Sequence, residues 1–222
     1  MNKSLGFFGK VPAHGDFIER GLPQPFVNAM DEWLQGAISC SQGALGNDWL
    51  SSYLTCPLWR FGFGEGALDE KQWLGVLCPS VDSVGRYFPL VIATQLKHGN
   101  IFAAFQKNSA WFDAVENLAL SVLENGLPAD EIENQLNMIP AIEQEDNRPS
   151  KIEQYGWLVH GNSAEAYGHL LSASHTQSAV SLWETRGGEA QNATTFVAKS
   201  MPPAHYYTLF LTGRWQLHQH TF

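Results

Sequence analysis

Trp73-Leu74-Gly75-Val76-Leu77-Cys78-Pro79-Ser80-Val81-Asp82-Ser83-Val84-Gly85-Arg86-Tyr87-Phe88-Pro89-Leu90-Val91-Ile92-Ala93 sets two short apolar runs, 73–78 and 90–93, around a polar loop. A short apolar run bounded by Pro and Gly is the pattern of a fully covered strand, so the loop 79–89 is expected at the end of a sheet. Loops in such places often carry function. Asp82 and Arg86 are opposite charges four residues apart, with Gly85 between them and Tyr87 alongside. That set makes either a recognition surface or a structural clamp, and it contains no obvious pairing of nucleophile with base.

Working outward, Leu58-Trp59-Arg60-Phe61-Gly62-Phe63 alternates apolar with small or polar residues and reads as a strand. Gly64 to Gly66 and an acidic turn join it to the strand at Trp73, which predicts an antiparallel hairpin with a longish loop. Leu5 to Gly9 reads as a first strand that ends near Lys10, because Pro12 cannot donate to a sheet ladder. Phe26, Val27, Met30, Trp33, Leu34, Ala37 and Ile38 recur at helical spacing, as do Trp111, Phe112, Val115, Leu118, Ala119, Val122 and Leu123. Asn47 is expected to cap a second helix through Leu54, and Ser109 the helix that Gly126 and Pro128 end. A short helix is expected over 130–137 and another over 162–171, with strands at 179–183 and 206–211. Between them, 139–150 is Pro-rich, acidic and without periodicity, the candidate for a mobile connection. Strands on both sides of it belong to one sheet in this reading. The expectation is a single domain spanning 1–222, of α/β class and α+β type, with a mixed, mostly antiparallel sheet flanked by helices.

Composition agrees with an ordered domain of this size. The chain has 222 residues, of which 44% are hydrophobic, so a sizeable core needs no staples. Thirteen basic against 22 acidic residues give a net charge of -9, which opposes general attraction to nucleic acid or anionic membrane. Cys40, Cys56 and Cys78 lack a CxxC spacing and read as reduced core cysteines. No apolar run is long enough to span a bilayer, and the N-terminus does not read as a signal peptide. A cytoplasmic location without membrane insertion is expected.

The residues that invite chemistry do not assemble into an active site in the sequence. His14 and Asp16 have the types of a general base and its orienting carboxylate, and His205 could join them on a metal. The plain alternative is a turn in which Asp16 accepts backbone N–H groups. Lys10 with Gly9 and Gly15 suggests phosphate, but a P-loop is Gly-rich before Lys-Ser/Thr, and Pro12 removes a backbone donor. Ser80, Asp82 and Ser83 have no Gly-x-Ser-x-Gly elbow around them. Trp33, Trp73 and Trp111 fall on apolar faces, whereas Trp59 beside Arg60 is ambiguous between core and surface. Met201 to Tyr206 reads as an extended entry to the last strand, set by two prolines. No cofactor is implied.

Several segments together resemble the type VI secretion system-associated protein family called TagF, also known as ImpM. They are Gly6 to Phe17, Gly21-Leu22-Pro23 through Phe26, Asp31 to Leu34, Pro57 to Phe61 and, above all, Trp73 to Leu90, in the family's order. The resemblance implies a longin or profilin-like sandwich. It also implies a non-enzymatic, post-translational negative regulator of the type VI secretion system, which binds and sequesters a forkhead-associated (Fha) scaffold protein. Residues expected to bind the partner or shape its loops are Lys10, Pro12, His14, Gly15, Asp16, Trp59, Ser80, Asp82, Arg86 and Tyr87. Two other readings stand beside it: a small hydrolase or metalloenzyme using His14, Asp16 and His205, and a structural accessory subunit of the secretion apparatus.

Overall fold

The computed structural model describes residues 5–144, 150–152, 156–158, 170, 179–189 and 191–215. Strands β1 (Leu5–Gly9), β2 (Ile18–Arg20), β3 (Trp59–Phe63), β4 (Gln72–Cys78), β5 (Leu90–Leu96), β8 (Val180–Thr185) and β9 (Thr194–Lys199) form one sheet in the order β2-β1-β5-β4-β3-β8-β9. Every pairing in it is antiparallel. A separate two-stranded hairpin joins β6 (Ser150–Ile152) to β7 (Gly156–Leu158). The α+β class expected from the sequence is the class observed.

Alternation along the strands feeds two cores. Phe7, Leu74, Val76, Leu90 and Ile92 point to one face, beneath α3 (Ile101–Lys107), α4 (Ser109–Asn125) and α5 (Ala129–Met138). Phe8, Phe61, Phe63, Trp73, Val91 and Trp183 point to the other, beneath α1 (Gln24–Leu45), α2 (Trp49–Leu54) and α6 (Tyr207–Thr212). Both faces of the central strands are therefore dry, which explains why β3 is buried at all five positions and why the strands at 73 and 90 read as continuous apolar runs.

Several local expectations are corrected. The stretch 206–211 is not a strand: a 3₁₀ turn over Ala204–Tyr206 leads into α6, which buries Tyr207, Leu209, Phe210 and Leu211 and ends at Gly213 in the left-handed region. A six-residue aromatic run has no period that separates helix from strand, and here packing against α1 and α2 decides. The same turn replaces the last part, 204–206, of the extended entry expected for 201–206, while Pro203 before it has an extended ψ of 141°. Asp48, not Asn47, occupies the cap position of α2, and Asn108, not Ser109, that of α4. Cys40 is exposed; only Cys56 and Cys78 are core thiols. The expected helix over 162–171 lies, apart from Leu170, outside the described residues, as do 145–149 of the expected connection. Its first part is held: Ile139 and Ile142 are buried, and Asn108 exchanges hydrogen bonds with Glu143, donating to the carbonyl at 3.0 Å and accepting from the amide at 2.7 Å.

Candidate functional site

At one end of the sheet the β1–β2 loop and the β4–β5 loop lie against each other. Their contact begins with Gly9, whose φ of 134° suits glycine, and where a Cβ would stand 2.1 Å from the carbonyl oxygen of Pro89. This close approach lets the chain leave β1 directly over the start of β5. Lys10 then turns inward, and its Nζ donates to Asp82 Oδ2 at 2.8 Å, with both side chains buried.

Asp82 is the hub. Its Oδ2 also accepts from Arg86 Nε at 2.7 Å, while Oδ1 accepts the backbone N–H groups of Val84 at 3.1 Å and Arg86 at 2.8 Å. An aspartate that accepts from amides two and four residues on stabilises a tight turn, and Gly85 at φ 86° forms its tip. Burial opposes the charge on Asp82, but the bonds from Lys10, Arg86 and Val84 outweigh it and hold the carboxyl well below the usual carboxylate range. The same partnership, with Asp82 first and Asp16 second, raises the Arg86 guanidinium.

Ser80 anchors the loop from below. Its hydroxyl donates to the Lys10 carbonyl at 2.7 Å, and its backbone N–H donates to the phenol oxygen of Tyr53 at 2.9 Å. That phenol donates in turn to the Ser80 carbonyl, also at 2.9 Å. Burial pushes the Tyr53 phenol well up, so it remains a donor. Val81 bridges Tyr87 across the loop, and the Tyr87 ring meets Trp49 and Tyr53 edge-on.

The two loops are then laced together. Ser83 N–H donates to the His14 carbonyl at 2.9 Å, and the Arg86 guanidinium donates to the Gly15 carbonyl and faces Asp16 Oδ1 at 3.6 Å. His14 Nε2 accepts the N–H of Ala129 at 3.0 Å, which fixes the loop to the first turn of α5. Phe17 stacks on Phe8 and lies edge-on to Phe88, with Lys10 Nζ 5.1 Å from its centroid.

Of the residues singled out in the sequence, Lys10, His14, Gly15, Asp16, Ser80, Asp82, Arg86 and Tyr87 come together here, with Pro12 half-buried in the same loop. Lys10, Ser80 and Asp82 are buried, whereas Asp16 and Arg86 are exposed. Trp59 does not join them: it is 1% exposed in the core beneath α6, its indole donating to the Phe210 carbonyl at 3.3 Å. His205 is exposed on the turn before α6, a turn that packs on α1, with its ring beside Tyr206 and on the opposite face of the sheet from the α5 contact of His14. Among the described residues no group of three or more His, Cys, Asp or Glu could hold a metal ion.

Sequence reading missed Tyr53, Phe17 and Val84. Phe17 and Val84 are 49% and 68% exposed, the apolar points of the paired loops. Phe17 directly follows the His-x-Asp turn and carries that much signal; nothing in the sequence links Tyr53 to Ser80.

The fold and this site define a three-layer α+β protein with a preformed, mixed apolar and charged loop surface. Residues 6–139 match the model of the TagF N-terminal domain, described as type VI secretion system-associated, and the chain belongs to this family. It is also similar to the crystal structure of PA0076 from Pseudomonas aeruginosa PAO1, at 36% identity over 95% of this chain and 94% of that one, with a TM-score of 0.83. No curated protein matches. No helix among the described residues is long and apolar enough to cross a membrane.

Proposed function

We propose that this protein is a post-translational negative regulator of the type VI secretion system, a non-enzymatic binding module that sequesters a forkhead-associated (Fha) scaffold protein in the cytoplasm. The observation that carries this reading is the clasp. In a chain of a secretion-associated family, Lys10 and Asp82 hold two loops rigid from within while Phe17, Val84 and Arg86 face outward. Exposed apolar groups beside a charge on a preordered backbone are what a binding surface needs, because little entropy is lost when a partner docks. The hydrolase or metalloenzyme reading is disfavoured by the placement of His14 and His205 on opposite faces and by the use of His14 Nε2 as an acceptor for α5.

Calorimetry with the cognate Fha protein tests the proposal. Binding is expected, and Val84→Asp and Phe17→Ala should weaken it at least tenfold with thermal stability nearly unchanged for Val84→Asp. Absence of binding, together with unchanged effector secretion in a deletion strain, refutes it.

A further inference from the structure

The two edges of the sheet are built differently. The β2 edge is three residues long and carries Glu19 and Arg20, and Arg20 is tied to Asp130 at 3.0 Å and Glu133 at 2.7 Å on α5. Short, charged and anchored edges resist pairing with other chains. The β9 edge is six residues long, contains no proline, and presents Val197 at 52% exposure in its middle. Beyond β9 the sheet has no further strand among the described residues.

The direction of the free backbone groups on β9 follows from the ladder. Gly64 N–H donates to the Val180 carbonyl at 2.8 Å, and Ser200 N–H to the Ala179 carbonyl at 2.7 Å. Val180 therefore faces β3, and Ser181, Trp183 and Thr185 face β9. Their register partners are Ala198, Phe196 and Thr194, so the amides and carbonyls of Thr195, Val197 and Lys199 point away from the sheet. Ser200, at φ 62°, and the Ser181 hydroxyl bond to its carbonyl at 2.6 Å fix the end of this edge.

We infer that β9 is a self-pairing edge whose occupant is a second copy of the chain, joined antiparallel about a two-fold axis at Val197. In this register Val197 exchanges both backbone hydrogen bonds with its counterpart, and Thr195 and Lys199 exchange theirs with Lys199 and Thr195 of the other copy. All three outward residues of each edge are satisfied. The side chains agree: Val197 meets Val197 at the centre, and each Lys199 lies opposite a threonine, so no like charges face each other across the pair. A closed two-fold contact uses the same patch on both copies, which stops growth at the dimer.

Light scattering and sedimentation from about 10 to about 500 µM test this, because a six-residue edge gives a weak complex. The apparent mass of the natural chain is expected to rise toward twice the monomer. Val197→Lys and Val197→Glu should each stay monomeric, with natural melting temperatures since Val197 is exposed, and should associate when mixed. A monomer at every concentration, or a lysine variant that dimerises as well as the natural chain, overturns the inference. Hydrogen exchange on the natural chain gives a reading that needs no variant. The amides of Thr195, Val197 and Lys199 should gain protection with concentration, while those of Phe196 and Ala198 are protected throughout. Protection of the three that does not depend on concentration assigns the edge to another part of the same chain and also overturns it.

Discussion

Replacing Tyr53 by Phe removes one oxygen from beneath the β4–β5 loop. The phenol is fully buried and serves Ser80 twice, accepting from its N–H and donating to its carbonyl, each at 2.9 Å. The two losses are unequal. The carbonyl keeps the N–H of Phe88 at 3.1 Å, so it forfeits one of two bonds, at about 0.5–1.5 kcal/mol. The N–H has no second partner described, and an orphaned buried amide costs about 1–3 kcal/mol. The sum is about 1.5–4.5 kcal/mol, which at about 2–4 °C per kcal/mol for a domain of this size lowers the melting temperature by about 3–18 °C. Calorimetry or circular dichroism gives that shift, and urea unfolding gives the free energy directly. Amide exchange adds a local signature, since Ser80 should lose protection before its neighbours in β4. A fall of less than about 2 °C with Ser80 still protected would show that the phenol does not hold the loop, because less than 1 kcal/mol would then separate the variants.

The remaining expectations concern the same end of the sheet. Asp82 is held below its ordinary value of about 3.9, so its contribution to stability is complete above that pH and is lost as pH falls toward the folded value. Asp82→Asn should therefore be less stable than the natural chain at neutral pH and show a shallower loss of stability on acidification below about pH 4, read from urea midpoints across that range; parallel curves would exclude Asp82 as the titrating group. Gly9→Ala forces a side chain onto a backbone at φ 134° and 2.1 Å from the Pro89 carbonyl, with an expected loss on the order of 3–5 kcal/mol from strain and clash together. Unchanged urea stability would show that β1 and β5 separate there at little cost.

Elements whose period matched their surroundings were legible. The apolar stripes of α1 and α4 and the run at 73–78 each reported burial on one helical face or on both faces of a strand, and Pro23, Gly46, Gly126 and Pro79 mark both ends of α1, the end of α4 and the end of β4. The elements that escaped are those that tertiary packing decides. β2 is a three-residue strand made by its pairing with β1, α6 is an aromatic run with no period of its own, and α3 is a seven-residue helix whose cap, Asn100, is its clearest sequence mark. In the site, Asp82 and Arg86 announced each other at a spacing of four, and the bond between them is present. That Lys10 completes the pair from 72 positions away depends on β1 lying beside β5, which local pattern does not encode. Trp59 looked ambiguous because Arg60 follows it, but Arg60 is itself buried, held by Glu116 and Asp113 from α4.

The strand order also leads us to expect a particular order of folding. β3, β4 and β5 are consecutive in the chain and adjacent in the sheet, so their meander closes only short loops. β1 must find β5, and β8 must find β3 across more than half the chain, and each such closure costs chain entropy, which slows the pairing. The meander is thus the expected nucleus, with β1 joining it at β5 and β8 at β3 afterwards, from opposite sides. Until β8 arrives, the open edge of β3 displays Trp59, Phe61 and Phe63, all buried once folding is complete. A chain emerging from the ribosome therefore carries the β3 edge unpaired until β8 has left the ribosome, and the β8–β9 hairpin doubles as the cover that ends that exposure.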